Sequence, residues 1–150
     1  MSEGCCPSHA QPQPQQRLAC PTNGQVGRIV QRITLGALLK PEARQRIQPA
    51  AQYWFCQDPA CDIVYYTEGA IFTQHDLAVP VWPKQRAPTT PVCYCFGWTW
   101  GRIQAALDKP AILSDIAAQV KAGNCYCEVT NPQGACCLKN LTIALQTVQQ

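Results

Sequence analysis

The chain has 150 residues, a formal net charge of +3 and only 14% charged residues, with Lys and Arg scattered rather than clustered. That length suits one ordinary domain or two small metal-supported ones, and the charge pattern argues against a nucleic-acid-binding protein. No run of about 18 apolar residues suggests a membrane span. The start, Met1-Ser-Glu-Gly-Cys5-Cys6-Pro-Ser-His9, lacks the basic region and apolar core of a signal peptide, so a cytoplasmic location is expected. In a reducing compartment, eleven cysteines in paired spacings point to metal rather than to a disulfide framework.

Residues 1–17 read as a disordered tail, because Gln11-Pro-Gln-Pro-Gln-Gln is polar, proline-rich and unable to bury a core. Within the tail, Cys5 and Cys6 offer two adjacent thiols to a thiophilic ion such as Cu(I). Order is expected from Leu18. Cys20-Pro-Thr-Asn23-Gly24 has turn chemistry and Ile29-Val30 suits a short strand. Thr34 is placed to cap a short apolar helix through Leu39, and Pro41-Glu42-Ala43 to open another. Residues 51–56 and 62–67 carry aromatic and β-branched residues and predict the two arms of a hairpin.

Between those arms lies Cys56-Gln-Asp-Pro-Ala-Cys61, a C-x4-C pair at a strand-to-strand turn. Structural zinc sites draw two sulfurs from one such tight loop and the rest from another element. Cys20 is the third candidate. The usual C-x2-C partner of Cys20 would stand at position 23, which is Asn23; candidates for the fourth place are Asp62, His75, Cys5 or Cys6, or a water. A unit of this size buries little apolar surface and commonly needs such a staple. Val79-Pro-Val81-Trp82-Pro83 reads as a final edge strand, and the polar, proline-rich residues 84–91 as a linker between two halves.

The second half opens on Cys93-Tyr94-Cys95. A helix is expected from Phe96-Gly97-Trp98 to about Leu107, interrupted at Lys109-Pro110; Ser114 or Asp115 should cap a second helix that stops at Gly123. There follows Cys125-Tyr-Cys127-Glu-Val-Thr-Asn-Pro-Gln-Gly134-Ala-Cys136-Cys137, then a closing helix from Leu138 to about Val148. Six cysteines in two loops flanking helices match what a 2Fe–2S cluster requires, four soft anionic sulfurs wrapped around an inorganic core. Cys93 and Cys95 can serve one iron. The other takes one sulfur from Cys125 or Cys127 and one from Cys136 or Cys137, and spacing does not choose between them. A second zinc site with four thiolates competes with this reading. A thiol-redox protein lacks the C-x-x-C motif, and neither His9 nor His75 has the context of a Cys/His nucleophile. No catalytic residues are assigned.

These motifs carry a resemblance. Val92-Cys-Tyr-Cys-Phe-Gly-Trp-Thr, then Gly123-x-Cys-x-Cys-Glu-Val-x-Asn-Pro-x-Gly-x-Cys-Cys-Leu138, resembles the N-terminal domain of CopZ-type copper chaperones. The likeness extends upstream through Thr34-Leu…Leu-Leu-Lys-Pro-Glu and Tyr53-x-Phe-Cys56…Cys61-x-x-Val-Tyr-Tyr, covering roughly residues 18–140. It implies a zinc site in residues 18–83 and, in 92–150, a 2Fe–2S site similar to that of bacterioferritin-associated ferredoxin. By the same resemblance the cluster ligands are Cys93, Cys95, Cys127 and Cys137, with Cys125 and Cys136 as alternates, and zinc falls to Cys20, Cys56 and Cys61. Asn23 departs from the zinc-binding pattern. Full-length chaperones of this type also carry a copper domain with a Met-x-Cys-x-x-Cys motif, which these 150 residues lack.

The expected fold is therefore α+β: a zinc-supported β-rich unit with short helices, then a helical 2Fe–2S unit. The expected function is metallochaperone-like handling of copper or a related soft metal, with one-electron redox through the cluster and reduction of Cu(II) as its one conceivable reaction. A copper-transporting ATPase or a copper chaperone would be the partner. The alternatives are a ferredoxin-like electron carrier without metal transfer and a structural two-zinc adaptor.

Overall fold

The computed structural model describes residues 17–148. Four antiparallel strands run in sequence order across one sheet: β1 (Arg28–Val30), β2 (Tyr53–Phe55), β3 (Ile63–Thr67) and β4 (Ala70–Thr73). The hairpin expected from residues 51–67 is β2–β3, pairing Trp54 with Tyr66 and Phe55 with Tyr65. Two short helices, α1 (Arg32–Leu38) and α2 (Pro41–Arg44), join β1 to β2. Leu35, Leu39, Tyr53, Phe55, Val64, Tyr65, Phe72 and Val81 form the main core of this half. A smaller cluster of Trp54, Ile63 and Tyr66 packs around Cys20, Cys56 and Cys61.

Several sequence-based expectations are corrected here. Thr34 lies inside α1, whose N-cap is Gln31, and its hydroxyl donates to the Glu128 carbonyl at 2.7 Å. Residues 79–82 form no strand; the chain there turns through a cis Trp82–Pro83 bond. Strand β4 follows β3 across a tight turn, where Gly69 takes a positive φ of 82° that a side chain would disfavour.

The second half begins with a two-stranded hairpin, β5 (Pro91–Cys93) and β6 (Trp98–Thr99), followed by α3 (Trp100–Ala105), α4 (Lys109–Lys121), α5 (Cys127–Thr130) and α6 (Leu138–Val148). Thr99 caps α3 by accepting from the Arg102 amide at 3.2 Å. Lys109-Pro110 opens α4 rather than interrupting a helix, and the cap is Asp108, which accepts from the Ala111 amide, not Ser114 or Asp115. Proline suits this place because amides of the first helical turn have no intrahelical partner to lose. Trp82, Val92, Ile103, Ile112, Ile116, Leu141 and Leu145 make the core, with Cys93, Cys127 and Cys137 buried among them.

The halves touch. Besides the Thr34–Glu128 bond, the buried Tyr65 hydroxyl donates to the Pro132 carbonyl, and the Tyr94 hydroxyl donates to Pro80 O at 2.6 Å. Residues 84–91 are themselves tied down: Gly101 N donates to Pro88 O and Trp100 N to Thr90 O, each at 2.9 Å.

Candidate metal centres

The first centre is built from two turns. Residues 20–25 fold back on themselves: Cys20 N donates to Gln25 O and Gly24 N to Cys20 O, each at 2.8 Å, with Gly24 at a φ of +74°. Tyr66 anchors that turn, its hydroxyl accepting from Gly27 N at 2.8 Å and donating to Leu18 O at 2.6 Å. Gly27 has no room for a side chain: a Cβ there would lie 2.4 Å from the Phe55 carbonyl oxygen and 2.8 Å from the Tyr66 hydroxyl. The second turn joins β2 to β3. Cys56 N donates to Val64 O, Cys61 N to Asp58 O, and Ala60 N to the Asp58 carboxylate.

These turns bring the sulfurs of Cys20, Cys56 and Cys61 within 4.8 Å of one another, all three residues buried. Cys20 Sγ and Cys61 Sγ are 3.9 Å apart. Sulfurs at about 2.3 Å from one tetrahedral ion stand about 3.8 Å from each other, so the three thiols fit a single zinc-sized ion. Asp62 and His75 are exposed and offer no atom to this group; Asp62 instead accepts from Gln74 Nε2 at 3.2 Å. Cys5 and Cys6 lie outside the described residues. Asn23 Nδ2 lies 3.2 Å from Cys56 Sγ and 3.2 Å from Asp58 Oδ2.

Cys56 and Cys61 do not ionise alike. Burial pushes Cys61 up to about 11 despite the Ile63 N–H on its sulfur. Burial also acts on Cys56, but the Asp58 N–H, the Asn23 amide and the Lys84 ammonium outweigh it and bring Cys56 below the usual thiol range. Cys56 is thus better prepared than Cys61 to lose its proton to a metal. The Lys84 Nζ donates to Asp58 O at 2.8 Å and to Cys61 O at 2.9 Å, so a cation closes this turn from outside.

The second centre draws on the β5–β6 hairpin and on the loops around α5. Cys95 Sγ is 3.6 Å from Cys127 Sγ, and Cys137 lies near enough to Cys127 and Cys93 to interact electrostatically with both. Four thiols, Cys95, Cys127, Cys137 and Cys93, are therefore gathered in one neighbourhood from two segments of sequence. Cys93, Cys127 and Cys137 are buried, while Cys95, Cys125 and Cys136 are half-buried. The neighbouring Cys137 thiol, helped by the Phe96 and Cys95 amides, holds Cys93 below the usual thiol range against its burial. Contacts with Cys127, and then burial, push Cys95 up; contacts with Cys127 and Cys93 do the same for Cys137. The Tyr126 amide donates to Cys95 Sγ at 2.9 Å, and the Thr130 hydroxyl lies 3.1 Å from the same sulfur. The sequence reading had no signal for these two contacts, because each needs α5, a four-residue helix too short to show periodicity.

Comparison with known proteins matches this architecture. Residues 17–78 match the family model zf_CopZ, described as a zinc binding domain. The copper chaperone CopZ of Archaeoglobus fulgidus is 30% identical over 120 residues, which make up 80% of this chain and 58% of that protein. The chain thus spans less than two thirds of the length of the curated relative it matches. The X-ray structure of the Archaeoglobus fulgidus CopZ N-terminal domain superimposes with a TM-score of 0.63 at 28% identity, covering 84% of this chain and 96% of that domain. No helix among the described residues is long and apolar enough to cross a membrane.

Proposed function

From this likeness to the CopZ N-terminal domain, we propose that the chain is a two-centre metal protein serving the handling of copper or a related soft metal. In this reading Cys20, Cys56 and Cys61 hold a structural zinc ion, and Cys93, Cys95, Cys127 and Cys137 hold a 2Fe–2S cluster. The observation that carries it is the gathering of these four thiols in a core of their own, separate from the compact three-thiol group. Among the described residues, only Cys20, Cys56 and Cys61 have three sulfurs gathered within 4.8 Å. The wider spread of the other four supports a two-iron core over one tetrahedral ion.

When bound, such a cluster supplies a one-electron redox couple. The protein's own contribution is to present four soft donors, to exclude water with Val92, Ile103 and Leu141, and to aim amides of residues 95, 96 and 126 at the sulfurs. Zinc at the first centre would cross-link the turn of residues 20–25 to the turn between β2 and β3. The copper function of the relative supports soft-metal handling over a plain electron carrier. A metal-transfer protein, such as a copper-transporting ATPase, is the partner this reading implies.

Metal content tests it. Anaerobically purified protein should hold about two irons, two labile sulfides and one zinc per chain, with a visible absorption that dithionite bleaches. A colourless protein holding about two zinc ions and no sulfide, even after cluster reconstitution, would remove the redox centre and leave a structural adaptor.

A further inference from the structure

We infer that Lys84 is a positioning residue of the three-thiol centre, fixing the turn that carries two of its sulfurs and balancing the charge of the loaded site. The inference rests on the zinc reading above. Residue 84 lies beyond the end of the matched zinc binding domain at residue 78, so the centre is completed by chain outside that domain.

Three observations converge on this side chain. Its Nζ donates to two carbonyls of the same turn, Asp58 O and Cys61 O, at 2.8 and 2.9 Å. It also sits 5.7 Å from the ring centroid of Phe55, the residue immediately before Cys56. And although the residue is half-buried, it makes no ion pair with a carboxylate among the described residues, where the one salt bridge joins Arg46 to Asp76. The ammonium's hydrogen bonds go to neutral carbonyls, and it feels the Asp58 carboxylate and the three thiols without an ion pair to hold it, so its charge is placed to serve the sulfur site. A divalent ion held by three thiolates carries one excess negative charge, and it would sit against the turn that Lys84 grips.

The route by which Lys84 reaches this place is also fixed. Tyr94, between Cys93 and Cys95, donates its hydroxyl to Pro80 O at 2.6 Å and accepts from Trp82 N at 3.0 Å. Trp82 is packed in the core of the second half. The strap at residues 80–84 is therefore held by the second half at one end and reaches the first centre at the other.

The full chain, as wild type, Lys84→Met, Lys84→Gln and Lys84→Arg, should be compared by chelator competition for Zn2+, by the absorption of the Co2+-loaded site, and by thermal melting without metal. Lys84→Met and Lys84→Gln are expected to weaken Zn2+ about ten- to hundredfold, the range for lost partners around a metal's ligands, with Lys84→Arg restoring most of it. Metal-free melting should fall modestly in both neutral variants, because the Asp58 and Cys61 carbonyls lose their donor. Unchanged Zn2+ affinity in both neutral variants overturns the inference, whether or not melting falls; a fall alone would mark Lys84 as an ordinary loop clamp. Wild-type protein that binds no Zn2+ would overturn the zinc reading itself, a result separable from any difference among variants.

Discussion

Asn23 stands where a C-x2-C pair would supply a second sulfur beside Cys20, and its side chain behaves as a donor. Its Oδ1 is taken by the Gln25 amide at 2.8 Å, which leaves Nδ2 facing Cys56 Sγ and the Asp58 carboxylate, each at 3.2 Å. An N–H aimed at a thiolate stabilises the charged sulfur without contributing a ligand. The turn of residues 20–25 nevertheless carries position 23 to the edge of the sulfur group. Asn23→Cys is therefore expected to supply a fourth thiolate and tighten Zn2+ by at least about tenfold in chelator competition. Equal affinity in the two proteins would mean that a sulfur at position 23 cannot reach the ion. The cysteine spacing made the three sulfurs legible from sequence. The hydrogen bonds around them were not, since they depend on how a short loop folds.

At the scale of elements, the turn after β4 shows how local chemistry sets stability. Asp76 closes it by accepting from the Thr73 amide at 2.9 Å and by pairing with Arg46 at 2.9 Å. Burial alone would raise the Asp76 carboxyl, but the Thr73 N–H and the Arg46 guanidinium outweigh it and hold it below the usual carboxylate range. The unfolded chain then takes up the proton at a higher pH than the folded one. The contribution is fully present above the unfolded value, about 3.9, and is lost as pH falls through the lower folded value. Asp76→Asn should cost about 1 kcal/mol at neutral pH, the scale of a lost cap. Urea titrations of both proteins in the same metal state should show that gap closing below about pH 4; a gap independent of pH would place the effect in packing rather than charge. Elements with long apolar periodicity, such as α6, were legible in the sequence almost to the residue. Strand β4, the β5–β6 hairpin and α5 were not, because two to four residues carry no period. Pro110 misled for a different reason: the same residue breaks a helix interior and begins a helix well.

On the scale of the whole molecule, the contacts between halves decide whether the two centres are independent. The segment made of α5 and the loop to α6 presents Cys127 at one end and Cys137 at the other, and the first half holds it between them. Tyr65, from the centre of β3, donates to the Pro132 carbonyl across 67 residues of sequence; Thr34 donates to Glu128 across 94. Gly134 sits so close to Thr34 that a Cβ would lie 3.0 Å from its hydroxyl oxygen. Bonds of such separation leave no local pattern, which is why the sequence suggested two units joined by a linker and said nothing of this seam. Tyr65→Phe keeps the ring in its core and deletes only the donor. The buried Pro132 carbonyl then goes unpaired, at a cost of about 1–3 kcal/mol. If the seam organises the cysteine loop, the variant should melt at lower temperature in a single transition and, given the proposed cluster, lose that cluster's visible absorption faster in air, with zinc content unchanged. Two separate transitions, with the chromophore as durable as in wild type, would instead make the halves independent folding units that merely share a chain.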